Sequence, residues 1–181
     1  MPVLAALFAS CVLLSPAVAL AAEKEPELRR IVVTGDEGRL LLSATVQDAL
    51  NGRLRQELAE GEEITFVFSV ELSRKGGLFE DSVRKFTVSL SLRRDAGRGD
   101  YVFTPAGDGA GQRRTASLRE AEQWMASLSR VPVTELAALE ADAPYAIRIQ
   151  AVLKRGVPVL GRLVPAFGGI QTARRTIEFR Y

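Results

Sequence analysis

Apolar and polar positions alternate along much of this chain with a period of two. Ile64, Phe66, Phe68, Val70 and Leu72 interleave with Thr65, Val67, Ser69, Glu71 and Ser73. Phe86, Val88, Leu90 and Leu92 interleave with Thr87, Ser89, Ser91 and Arg93. Tyr145, Ile147, Ile149, Ala151 and Leu153 interleave with Ala146, Arg148, Gln150, Val152 and Lys154, and Ile177, Phe179 and Tyr181 repeat the pattern at the end. Successive side chains of a strand point to opposite faces, so this pattern predicts strands with one buried and one wet face. That is the habit of antiparallel sheets. Thr34–Gly38, between Ile31–Val33 and Leu40–Val46, reads as a hairpin turn. Lys75-Gly76-Gly77 and Asp95–Asp100 turn the following strands, and Pro105–Arg114 reads as a loop.

Two segments change period. From about Gln47 to Glu60, Leu50, Leu54 and Leu58 recur every fourth residue, and Gly61 can cap the end. Ser117-Leu118-Arg119-Glu120 is a capping-box pattern, followed by an apolar stripe of Leu118, Ala121, Trp124, Met125 and Leu128. Thr134–Leu139 suggests a further short helix. The expected order is a strand pair, a helix, three strands, a helix and two strands. The predicted fold is mostly β (α+β): an antiparallel, sandwich-like or curved sheet packed with two helices. Residues 22–181 read as a single domain without internal repeats.

The amino terminus is different. The first charged residue is Glu23, after an apolar run Val3–Leu14, then Ser15-Pro16 and Ala17–Ala22. These are the parts of a cleavable secretory signal over residues 1–21, with cleavage after Ala21 and Ala19 or Ala22 as alternative sites. Retention as an uncleaved anchor and lipidation at Cys11 are the competing readings. A signal normally opens with Lys or Arg, so its absence raises an expectation that the true start lies upstream. Export makes the expected location periplasmic.

Composition narrows the chemistry. The chain has no histidine, and its one cysteine, Cys11, lies in the signal. Ser-His and Cys-His nucleophiles are thereby excluded, and so is the commonest ligand of zinc, copper and haem. An enzyme built on this chain would need carboxylates, Lys or Tyr as acid and base.

Four blocks carry a resemblance. Gly61 with Ile64-Thr65-Phe66, Val70–Arg74 and Phe79-Glu80-Asp81 form the first; Leu92–Asp95 with Tyr101-Val102 the second; Ser117–Ala121 the third; Tyr145–Ala151 the fourth. Their order and spacing resemble family 4390 of the domains of unknown function, short exported bacterial proteins. The resemblance implies an envelope protein, sometimes encoded beside a two-component sensor kinase. It supplies no catalytic residues.

Individual motifs point weakly to chemistry. Gly107–Gly111 before Arg113-Arg114 matches neither a dinucleotide fingerprint nor a P-loop, and reads as a surface loop. Arg98-Gly99-Asp100 reads as a turn. Glu62-Glu63, Glu80-Asp81 and Asp95 with Asp100 are the candidate carboxylate pairs for a glycan hydrolase or a calcium site, against solvated acids at strand ends. Ser73 near Lys75 would need a buried lysine to act as a dyad. Trp124 and Met125 read as core, with a ligand pocket as the alternative.

Charge is uneven. Ala143–Tyr181 has seven bases against one acid. Within it, the apolar stretch Gly156–Ile170 is flanked by Lys154-Arg155 and Arg174-Arg175. A basic rim beside an apolar loop suits anionic headgroups or an acidic partner, each Lys or Arg contributing about 1 kcal/mol that salt removes. The competing reading makes the stretch a crossover with its apolar residues in the core. The candidate contact residues are Lys154, Arg155, Arg162, Phe167, Arg174 and Arg175. The expectation is a non-enzymatic envelope module that binds an envelope protein or an anionic lipid surface. No cofactor, metal, nucleotide or nucleic acid is expected. A carboxylate-dependent hydrolase of cell-wall glycans and a self-associating structural protein are the alternatives.

Overall fold

The computed structural model describes residues 26–76, 79–105, 111–159, 162–165 and 172–181. A three-stranded sheet has the order β1-β2-β7, from β1 (Glu27–Asp36), β2 (Arg39–Gln47) and β7 (Ser127–Glu135). A larger sheet has the order β10-β8-β3-β4-β5-β6. Its strands are β3 (Ile64–Gly76), β4 (Phe79–Arg94), β5 (Tyr101–Pro105), β6 (Arg113–Thr115), β8 (Pro144–Val159) and β10 (Thr172–Arg180). A short strand β9 (Arg162–Pro165) pairs with β8 alone. All pairings are antiparallel, and the family of alternating strands is the predicted one.

The alternation sets the core. Ile64, Phe66, Phe68, Val70 and Leu72 of β3 and Ile147, Ile149 and Leu153 of β8 are buried. They join Leu40, Leu42, Leu128 and Val133 of the small sheet in one cluster between the layers. The opposite face of the large sheet carries Thr65, Ser69, Glu71, Arg148 and Lys154. There the hydroxyls of Thr65 and Ser91 bond across strands at 2.7 Å.

The helices close one end. α1 (Gly52–Ala59) is shorter than the predicted Gln47–Glu60. Asn51 explains this: its side chain accepts from the Leu54 N–H, fixing the start, while Asp48 before it is left-handed with φ 54°. Leu50 is buried from the preceding loop, so only Leu54 and Leu58 are helical core positions. Gly61, at φ 93°, follows the C-cap; its N–H bonds the Leu58 carbonyl, and that of Glu62 bonds the Glu57 carbonyl.

α2 (Leu118–Met125) starts as predicted, with the Ser117 side chain accepting from the Glu120 N–H. The return half of the box passes through Thr115. Its hydroxyl donates to Glu120 at 2.6 Å and accepts the Ser117 N–H at 3.0 Å. The expected stripe is cut short, because the helix ends at Met125 and Leu128 belongs to β7. The expected helix over Thr134–Leu139 is the end of β7 plus a single 3₁₀ turn, Leu136–Ala138. Three further strands, β6, β7 and β9, were not expected; β9 falls inside the apolar Gly156–Ile170 stretch. β6 begins at the end of the predicted loop and runs past it to Thr115, and β7 is masked in the sequence by Ser129, Arg130 and Pro132.

Candidate functional site

β7 and the β4–β5 ribbon stand apart, and the gap between them is a groove of about 340 Å³. Its floor is apolar: Val88 and Leu90 from β4, Phe103 from β5, Trp124 from α2, and Leu128 and Val131 from β7. The register puts Arg113 of β6 opposite Phe103, on the inward face of the sheet. Its guanidinium carbon lies 3.9 Å from the Trp124 ring centroid, and Trp124 itself sits 6.0 Å from Phe103. Further along β4, Arg84 lies 5.8 Å from the Phe86 ring. Neither arginine has a carboxylate partner among the described residues. Trp124 and Met125 therefore divide the two readings made of them. Met125 is wholly buried, and Trp124 is partly exposed along the groove.

A second cavity, about 560 Å³, lies between α1, α2 and the loop after β2. Thr45, Gln47, Asp48, Arg55, Arg119 and Glu122 give it a polar wall. Glu122 is engaged there, accepting from Arg55 at 2.7 Å. A smaller apolar recess of about 260 Å³ lies where Leu136, Phe179 and Tyr181 meet the β1–β2 turn.

The six candidate acids line neither of the two larger cavities. Asp95 and Asp100 close the β4–β5 turn. Asp95 accepts from the N–H groups of Gly97 and Arg98, and Gly99 takes φ 76° to complete the loop. Arg114 reaches both acids, at 3.1 and 3.5 Å. The Arg114 hydrogen bond holds the Asp95 carboxyl below the usual carboxylate range, the opposite of what a general acid needs. Glu80 bonds Arg148, which also holds Glu71 at 3.2 Å, and Asp81 bonds Arg74 at 3.4 Å. Among the described residues no cluster of three His, Cys, Asp or Glu could hold a metal ion. Lys75 pairs with Glu178, while the Ser73 hydroxyl turns to Glu80 and the Ala146 carbonyl, so the two do not form a dyad. The Arg98-Gly99-Asp100 sequence is the turn it was read as.

The predicted basic set does not form one cluster. Lys154 and Arg174 are exposed on the outer face of the large sheet, opposite Thr65 and Gln150. Neither has a carboxylate partner among the described residues. Arg175 faces inward, opposite Ile149, and its guanidinium is bound by Glu27 of the other sheet. Arg155 and Arg162 belong to the β8–β9 hairpin, with side chains outside the described part, and Phe167 lies outside the described residues, as do Gly107–Ala110 and the signal-like residues 1–21. Of the apolar stretch, Val157 pairs with Val164 across that hairpin. Among the described residues no helix is long and apolar enough to cross a membrane.

The groove was not read from the sequence because β7 was not. The surviving signal is Arg113, which has polar neighbours on both sides but is set by register against Phe103.

A family model described as a domain of unknown function (DUF4390) matches residues 23–157. The chain belongs to this family. The match spans both sheets from β1 into β8, and so includes every residue that lines the groove. No curated protein and no solved structure matches the chain.

Proposed function

We propose that this chain is a non-enzymatic binding module of the cell envelope, and that its groove takes a lipid-type amphiphile with an anionic head. The carrying observation is the Arg113–Trp124 stack at the edge of an apolar floor. A cleft of this size, apolar with few polar groups, is the usual form of a small-ligand site. A guanidinium over an aromatic ring is held by the ring's negative face and can still present N–H groups to a carboxylate or phosphate. Among the described residues no acid lines the groove to compete for it.

An extended peptide suits the groove less well. It would pair along β7, whose row of N–H and C=O groups is broken by two register shifts and by Pro132. An acyl chain needs no such row. The envelope setting rests on the signal-like amino terminus and on the exposed cations Lys154 and Arg174, which have no carboxylate partner among the described residues and would be drawn to an anionic membrane.

Trp124 is the only tryptophan of the chain, so its fluorescence reports directly on the groove. Titration with dodecyl phosphate below its micelle concentration should shift the emission saturably, and dodecanol should bind more weakly. Arg113→Gln should weaken dodecyl phosphate binding about tenfold or more, the worth of a charge-assisted hydrogen bond. No saturable shift with either compound, or equal binding to wild type and Arg113→Gln, would sink this reading.

A further inference from the structure

Among the described residues the open strand edges are those of β1, β7, β6, β9, the 79–89 half of β4 and β10. β9 and β6 are only four and three residues long. β1 has a register shift between Arg29 and Val32, with Arg30 left-handed at φ 48°. β7 has two shifts and a proline, and the pairing of β4 with β3 shifts between Leu72 and Ser73. β10 differs. It pairs with β8 without a shift from Thr172↔Val152 to Arg180↔Pro144. No described strand pairs with its other side. A long regular edge is a template for another strand unless its side chains forbid it.

The side chains of β10 favour one partner, its own reversed copy. Consider a two-fold axis normal to the sheet at Thr176. Arg174 of each copy then stands opposite Glu178 of the other, twice, on the exposed outer face, where Glu178, already beside Lys75 of its own chain, has a second carboxylate oxygen to offer. On the inner face Ala173 meets Phe179 and Arg175 meets Ile177. Opposite charges across antiparallel strands stabilise the pairing, and like charges oppose it. Neighbouring registers are worse. An axis at Ile177 sets Arg174 against Arg180, and an axis at Arg175 sets that arginine against itself. A slip by one residue would mismatch the pleat. The inward charge of Arg175 would ordinarily guard an edge, but Glu27 already neutralises it.

We propose that a second copy of this chain docks on β10, antiparallel and centred on Thr176, continuing the large sheet through a two-fold dimer. The contact is isologous, so it closes after two copies and does not propagate into fibres. It involves no groove residue and stands whether or not the groove binds an amphiphile.

The test is position-specific crosslinking in the full chain with Cys11→Ser, which removes its single cysteine. Thr176→Cys lies on the axis and should form a disulfide dimer with itself under mild oxidation. Arg174→Cys alone should not, because its copies lie about four residues apart along the strands, beyond disulfide reach. Arg174→Cys mixed with Glu178→Cys should crosslink. Adding Arg174→Glu to Thr176→Cys should abolish the dimer, and adding Glu178→Arg to that variant should restore it. Both residues are exposed, so the exchange leaves the core intact. Failure of Thr176→Cys to crosslink, or crosslinking indifferent to the charge reversal and its compensation, overturns the proposal.

Discussion

On one side of the sandwich, β1 of the small sheet lies against β10 of the large one. Ile31, Val33, Ile177 and Phe179 are half-buried there, Phe179 stacks 5.8 Å from Tyr145, and Glu27 takes the Arg175 guanidinium across the gap. On the other side, β7 and the β4–β5 ribbon stand apart around the 340 Å³ groove. Both sides are built from alternating strands, and both place an arginine on the inward face near an edge. The difference is what each arginine meets. Arg175 finds a carboxylate on the facing sheet, and the layers are tied. Arg113 and Arg84 find aromatic rings on their own side, and among the described residues neither pairs with a carboxylate on β7. An inward arginine with an acid across from it closes a sandwich; one laid on a ring leaves the site open and cationic.

The strongest way to break this comparison is to remove apolar volume from each region. Ile147, on the inner face of β8, is wholly buried, and Ile147→Ala should cost about 2–5 kcal/mol in urea unfolding, since it leaves a cavity the layers cannot fill. Val88 lines the groove and is partly exposed, so Val88→Ala should cost less than about half as much. Equal losses would mean that the groove is closed in solution.

The two arginines provide a sharper contrast. Arg113→Gln should weaken dodecyl phosphate binding about tenfold, as a lost charge-assisted bond would. Arg175→Gln should leave that binding unchanged, because its guanidinium is spent on Glu27. If both variants weaken binding alike, general positive charge attracts the ligand and the groove is not its site.

The cap of α2 tests how firmly Trp124 is held. Ser117 accepts from the Glu120 N–H, and Ser117→Ala should cost about 1 kcal/mol. It should also raise the exposure of Trp124 to an aqueous quencher. A matching loss at Asn51, which caps α1 away from the groove, should leave the quenching unchanged.

How much of this was legible follows from the same contrast. The centre of the large sheet could be read directly, since β3 and β8 alternate without interruption and period two dictates their faces. The capping box at Ser117 and the turn at Asp95–Asp100 were legible because capping and turn chemistry are local. β7 was not, because Pro132, the left-handed Arg130 and two register shifts break its alternation. The groove was hidden with it. The basic carboxy-terminal set was legible as charge and misleading as a cluster. Arg174 and Arg175 are adjacent in sequence, but neighbours in a strand face opposite ways, and only the fold supplies Glu27 to one of them.

The closing ion pair should reveal itself through pH. Arg175 first, and Arg29 second, hold the Glu27 carboxyl below its ordinary value of 4.5. A carboxyl depressed in the folded protein binds fewer protons there than in the unfolded chain. Its stabilisation is therefore complete above the ordinary carboxylate value and disappears as pH falls through the folded one. Glu27→Gln should melt earlier than wild type at neutral pH, by the smallest margin of the changes considered, since exposed pairs are screened by water. The two melting curves should converge as pH drops well below 4.5, where wild type also carries a neutral side chain. Added to Arg175→Gln, the same substitution should cost less than it does alone, because its main partner is already gone. A gap that persists unchanged into acid would mean that Glu27 acts through packing, and that the two layers are held on this side by Phe179 and Tyr145 instead of by charge.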